Sequence, residues 1–294
     1  MLRSFKADPY FLQKYYVGSA IAMPLAVLLL LHFYTTPVFG SVLPWLPITL
    51  LFCTATFREV AIAFILSIYL FIHRNLSIGP WELLAMGSAG IYVGIWSCVL
   101  LHNASHSSIK PRWLNRLVGE LTGHLLLTGF PGFALIHIEH HKHADNLELD
   151  PHPAPPGMSF YTYLRDMGKK LPSTFYRMYL ETWNNDAKYL ESWRLVKYLV
   201  VFNRAFRAAL VLALLGPKLF IFFFIPAAFA VQMSFVYVNY FSHRRETNGS
   251  VEILNLDETL FAKTINRGFS GLLYHRNHHL RPEIFNPMKV KIDA

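Results

Sequence analysis

The sequence predicts an all-α polytopic membrane protein: a transmembrane helix bundle with four main spans, or six if two shorter apolar runs also cross, and a helical cap on the cytoplasmic face. Three observations carry that expectation. Of 294 residues, 53% are hydrophobic and only 15% charged, a balance too apolar for a soluble globule. The apolar residues gather in runs that approach the roughly 20 needed to cross a bilayer. Of the 27 lysines and arginines, 22 fall in the N-terminal tail, in residues 107–203 and in residues 243–294, so those segments share one face, which the positive-inside rule makes cytoplasmic. The net charge of +9 is dispersed among apolar runs and forms no dense stripe, which argues against a nucleic-acid partner.

In chain order, residues 1–16 mix Arg3, Lys6 and Lys14 with five aromatic residues, a composition suited to the headgroup layer. No cleavable signal peptide is expected, because no small-residue cleavage site follows the first apolar run. That run extends from Val17 to Tyr34. Shorter runs follow at Val42–Thr56 and, after Arg58 and Glu59, at Val60–His73; whether this middle pair crosses or packs as a re-entrant pair is left open by length. The run Trp81–Leu101 ends directly at His102. Residues 107–203 form the largest non-spanning part. Within it, Leu117–Ile136 is apolar enough to lie in the interface or pack beneath the spans, and the aromatic-basic mixture from Phe160 to Trp193 reads as helices lying along headgroups. A final hairpin, Val196–Leu215 and Lys218–Phe241, turns at Gly216-Pro217 and returns the chain to its starting side. Arg204 and Arg207 in its first arm read as snorkelling side chains. The chain thus reads as a single domain over 1–294, with spans at about 17–101 and 196–241 and a cap at about 102–195 and 242–294. Cys53 and Cys98 lie in apolar segments, where a thiol behaves as a small hydrophobe.

The chemistry concentrates in histidines. His137-Ile-Glu-His-His141 places three imidazoles at helical spacings of three and four, on one face, where they could converge on one metal. His102 and His106 precede them, and His275, His278 and His279 follow. Eight imidazoles on one membrane face exceed the four ligands of a structural zinc site and form the complement for two metals. Imidazole count alone does not select the element. Of the other histidines, His32 and His73 read as core or interface residues, and His124, His143 and His152 as non-ligands. Glu139 points away from His137 and His141 on a helix and reads as solvated or as a support to a ligand.

His102-Asn-Ala-Ser-His106, His137-Ile-Glu-His-His141 and His275-Arg-Asn-His-His279 have the forms HxxxH, HxxHH and HxxHH. In this order, with an apolar hairpin before the third, they resemble the three histidine boxes of the membrane fatty acid desaturase and hydroxylase superfamily. Asn239 and His243, four apart before the third box, resemble the additional metal-site pair of acyl-CoA desaturases, in which the histidine ligates and the asparagine holds a water. Asp150-Pro151-His152 resembles the continuation after the second box; Asp150 is then a residue that supports a ligand or fixes the loop.

The resemblance implies two iron ions held by the eight box histidines and His243, O2 as co-substrate, and oxidation of an unactivated C–H bond on an aliphatic lipid chain. Fatty acyl desaturation stands first. Hydroxylation or ketolation of a lipid or carotenoid is the alternative, since His243-Arg244 and the short C-terminus resemble compact bacterial carotenoid oxygenases. Oxidative decarboxylation of a fatty acid to a terminal alkene would use the same site. The chain has no GxGxxG stretch and too few cysteines for an iron–sulfur cluster, so electrons are expected from a separate ferredoxin or cytochrome b5-type protein with its reductase. The expected location is a bacterial inner membrane, with the metal site on the cytoplasmic side. A non-catalytic haem- or metal-binding membrane protein is the competing class; bis-histidine haem ligation uses two residues and leaves six box histidines unexplained.

Overall fold

A computed structural model describes residues 1–33, 78–144, 146–183, 186–245 and 251–291. The two middle apolar runs, with Cys53, Arg58, Glu59 and His73, lie outside the described residues. Described helices are α1 (Leu2–Ala7), α2 (Phe11–Phe33), α3 (Pro80–Ser105), α4 (Arg112–Gly123), α5 (Phe130–Lys142), α6 (Phe160–Asp166), α7 (Leu171–Trp183), α8 (Ala187–Leu219), α9 (Ile225–Ser242), α10 (Leu260–Gly268) and α11 (His275–Leu280).

Among the described residues two helical segments are long and apolar enough to cross a membrane, Pro80–Ser105 and Leu214–Ser242. Pro80 opens α3 at a position where its missing N–H costs nothing, just after extended Gly79. The second segment starts where α8 breaks at Gly216, whose φ of 73° is open to glycine and strained for other residues. Pro217 follows, and five residues of π-helix, Phe220–Phe224, lead into α9. The two segments pack backbone to backbone. A Cβ on Gly90 would lie 2.3 Å from the Phe223 carbonyl oxygen, and one on Gly94 would lie 2.3 Å from that of Ala227. Small residues are what permit such an approach, a common device where helices meet in lipid.

A second helix pair, α2 against α8, is tied by polar groups. Asn203 Nδ2 donates to the Tyr16 carbonyl at 2.9 Å, and Ser192 Oγ donates to Gln13 Oε1 at 2.8 Å. Here Arg207 departs from the snorkelling expectation: only 1% of it is exposed. Its Nη2 donates to the Tyr15 hydroxyl at 2.9 Å and its Nη1 lies 3.2 Å from His124 Nδ1. Tyr15 in turn donates to Glu120 at 2.6 Å. A guanidinium with internal acceptors within reach has no need to extend to water.

The aromatic segments are likewise more internal than their composition suggests. Phe5, Tyr16, Tyr179 and Trp193 join one buried cluster with Leu135 of α5, and the Phe5 ring packs edge-on against Tyr179 and Trp183. The outer faces that suit a headgroup layer lie elsewhere. In α4, Trp113, Leu117 and Leu121, spaced by four, are all exposed, while Asn115 on the opposite face donates to the Ala104 carbonyl at 2.8 Å.

The all-α expectation needs one correction. Strands β1 (His243–Arg245) and β2 (Val251–Ile253) pair antiparallel, with His243 opposite Ile253. The intervening sequence contains Asn248-Gly249, a hairpin signal that the helical periodicity around it obscures.

Candidate metal centre

Each box is delivered by the end of a helix. His102 lies in the last turn of α3 and His106 directly caps it. The cap is held by Asn103 Nδ2 on the Val99 carbonyl and by Asn115 from α4. His137, His140 and His141 occupy the last two turns of α5, where Phe133 stacks on the His137 ring at 5.7 Å. His243 begins β1, and the third box forms α11. Asn277, inside that box and singled out by no pattern in the sequence, is 4% exposed. It receives Asn255 Nδ2 at 2.7 Å and donates to the Pro287 carbonyl at 3.0 Å, which fixes the short helix on both sides. The only hint in the sequence was a polar residue with no reason to face solvent between ligand-type neighbours.

The imidazoles assemble into two groups. His102, His106, His137, His141 and His278 form one; His140, His243, His275 and His279 form the other; within each group one nitrogen from every ring lies within 4.8 Å of all the others. The second box is therefore divided between two groups, and its three rings do not converge on one point. The reason is the 100° step of a helix. Residues i and i+4 are nearly aligned, whereas i+3 and i+4, being neighbours in sequence, diverge. The third box divides the same way with the allegiance reversed: His275 and His279 join the four-membered group, and His278 crosses to the other.

Distances within the groups suit metal ligation. His106 and His137 bring their Nε2 atoms to 2.8 Å, His141 and His278 to 3.0 Å, His243 and His275 to 2.9 Å, and His275 and His279 to 3.1 Å. For a metal–nitrogen bond of about 2.1 Å, ligands at right angles lie about 3.0 Å apart, and tetrahedral ligands about 3.4 Å. The closest pairs fall in the range that two ligands of one metal can take. His140 adds an independent sign. Its Nδ1 meets the Asp150 carboxylate at 2.9 Å, while its Nε2 is buried with no hydrogen-bond partner among the described residues, as a nitrogen reserved for a metal would be.

Protonation follows from burial. Desolvation lowers His106 to about 4, partly offset by Glu283. Burial first, then repulsion between neighbouring imidazoles, drives His137, His141, His275, His278 and His279 further down. These rings are neutral at pH 7, the state that ligates metal.

The remaining candidates are placed as follows. Asp150, fully buried, also accepts the His152 backbone N–H at 2.7 Å. Asn239 is 3% exposed; its Nδ2 donates to the Phe235 carbonyl and its Oδ1 has no partner among the described residues. An apolar pocket brings Asn239 together with Cys98, Phe235, Val238 and Leu272 against His102, His137 and His275, so it touches both groups. His124, His143 and His152 belong to neither group. Glu139 is buried and paired rather than solvated, at 4% exposure.

Residues 79–285 match the fatty acid desaturase family. No curated protein and no solved structure matches the chain. The match covers more than half of the sequence and spans all three boxes, and it makes the protein an oxidoreductase by kinship: the chain belongs to the fatty acid desaturase family.

Proposed function

We propose that the protein is a membrane di-iron oxidoreductase that uses O2 and two external electrons per turnover on an aliphatic lipid chain, with fatty acyl desaturation as the reaction. The observation that carries this reading is the meeting of two histidine groups at one apolar pocket. One iron would be held by His102, His106, His137, His141 and His278. The other would be held by His140, His243, His275 and His279, with Asn239 offering its free Oδ1 to a water on that metal. Two irons so held supply O2 activation and the oxidation of an unactivated C–H bond.

The chain's own residues do the positioning. Cys98 lies one helical turn below His102, and Phe235 one turn below Asn239. With Val238 and Leu272 they line the apolar side of a narrow pocket that reaches both groups. Neutral imidazoles keep protons off the ligand nitrogens, and Asp150 fixes the ring orientation of His140. The substrate would arrive from the bilayer, which fits the two apolar spans that carry Cys98, Phe235 and Val238. Electrons would come from a separate ferredoxin or cytochrome b5-type donor, which the excess of positive charge on the cytoplasmic segments suits if the donor is acidic.

Lipid and hydrocarbon profiling of a host with and without the protein, by mass spectrometry, tests the reaction. A new double bond in acyl chains, lost in His140→Ala, supports desaturation; a new hydroxyl, ketone or terminal alkene replaces that branch while keeping the site. Purified protein should carry about two irons per chain without a Soret band. A Soret band, or zinc at one per chain, sinks the di-iron reading.

A further inference from the structure

Glu139 sits inside the second histidine box, between residues assigned to opposite groups, yet it belongs to neither. Its Oε1 lies 3.2 Å from Arg177 Nη2 and 3.2 Å from His143 Nε2. The same Arg177 Nη2, reaching across from α7, donates to the Leu149 carbonyl at 2.7 Å. Leu149 immediately precedes Asp150, which holds His140 Nδ1 at 2.9 Å. The bonds close a circuit: from Glu139 on α5 to Arg177 on α7, to the loop at Leu149, along one peptide to Asp150, and back to α5 at His140.

We propose that Arg177 is a positioning residue for the four-histidine centre, setting through Leu149 where the Asp150 carboxylate stands and hence how His140 presents its Nε2. The inference rests on the metal reading above. Glu139 is the anchor that fixes Arg177, which explains a buried carboxylate within a run of ligands that it does not join. Arginine suits this place, with both bonds leaving its Nη2. A planar guanidinium holds a carboxylate and a carbonyl at fixed angles, whereas a lysine ammonium is a mobile point charge. Arg177 also has an ion pair with Glu181 at 3.4 Å, but Glu181 is half exposed and outside the circuit, so that contact serves as the internal control.

The test uses the full-length protein, purified with iron in detergent or nanodiscs. Iron per chain, rate of iron loss to a chelator and thermal midpoint are compared for wild type, Arg177→Lys, Glu181→Gln, Asp150→Asn and the Arg177→Lys/Asp150→Asn double variant. Arg177→Lys should keep the slow release of one iron and speed release of the other by about 10-fold, the low end of the effect of disturbing a ligand's carboxylate partner. Glu181→Gln should release both at the wild-type rate. The double variant should release iron no faster than Asp150→Asn alone, because the arginine acts through the aspartate. A merely structural arginine would lower the thermal midpoint while speeding both irons alike, or add its effect to that of Asp150→Asn; either result overturns the inference, as does wild-type release from Arg177→Lys. Should Arg177→Lys fail to fold, Glu139→Gln, which loosens the anchor and leaves the arginine in place, must show the same selective release in milder form, and its absence overturns the proposal. Wild type that carries no iron defeats the metal reading and this inference with it, whereas two irons with unselective release defeat this inference alone.

Discussion

The two histidine groups are built from the same boxes but stand in different surroundings. The five-membered group draws its imidazoles from α3 and its cap, α5 and α11, and among the described residues no carboxylate hydrogen-bonds to its rings, although Glu283 acts on His106 through its charge. The four-membered group, also all imidazole, has fewer rings, but a buried aspartate backs His140; the asparagine with a free oxygen lies in the pocket that both groups share, against His102, His137 and His275. On the di-iron reading, the contrast teaches that one centre would be defined by ligand number and the other by how its ligands are held. A ring supported by a carboxylate is a stronger and better-oriented donor, and a centre with fewer rings retains room for a small exogenous ligand.

The largest expected effect comes from His275→Ala. His275 Nε2 lies 2.9 Å from that of His243 and 3.1 Å from that of His279, so its loss opens the four-membered group at its middle. Iron per chain should fall from about two to about one, with lipid product at background; two retained irons would erase the division between the groups. Asp150→Asn comes next. Affinity at the four-membered centre should weaken about 10- to 100-fold with the other centre unchanged, measured by competition with a chelator; an equal loss at both would show that the contrast in support is not real.

Acidification probes the other group. His106 is lowered from the usual 6.5 to about 4, so between those values the unfolded chain binds the proton that the folded chain refuses. That contribution to stability is complete above about pH 6.5 and declines as pH falls toward 4. Thermal midpoints of metal-free protein at pH 7.5, 5.5 and 4.5 should decrease in that order, and His106→Gln should flatten part of the slope; an unchanged slope refutes the assignment. The smallest effect is common to both groups. Gly94→Ala places a Cβ 2.3 Å from the Ala227 carbonyl oxygen, and such overpacking costs about 1–3 kcal/mol. Stability should fall without favouring either iron, because both groups hang from the α3–α9 pair; selective loss of one iron would show that the pair supports them unequally.

Which histidines assemble was legible in the sequence, because three- and four-residue spacings are a property of the chain itself. Their division was not, since whether i+3 goes with i+4 depends on where the helix stands relative to two points in space. Spans α3 and α9 announced themselves by hydropathy. Arg207 did not, because its burial depends on Tyr15 and His124, which come from other helices. Arg177 and Asn277 were equally hidden: each acts on backbone carbonyls distant in sequence, and no motif encodes a carbonyl. The strand pair has a sequence signal in Asn248-Gly249, whereas His243 itself carries only the signal of its imidazole.

The interleaving of the boxes also sets a schedule. His102 and His278 have ring centroids 4.0 Å apart although more than half of the chain's length separates them, and neither group is complete before the third box. During synthesis, the first two boxes leave the ribosome as incomplete chelators whose partners do not yet exist. Metal loading must follow translation and insertion, so newly made chains pass through an interval in which five clustered imidazoles can capture whatever ion arrives first. On the di-iron reading, fidelity for iron would then be decided by which ions the cell makes available during that interval, as much as by the finished geometry.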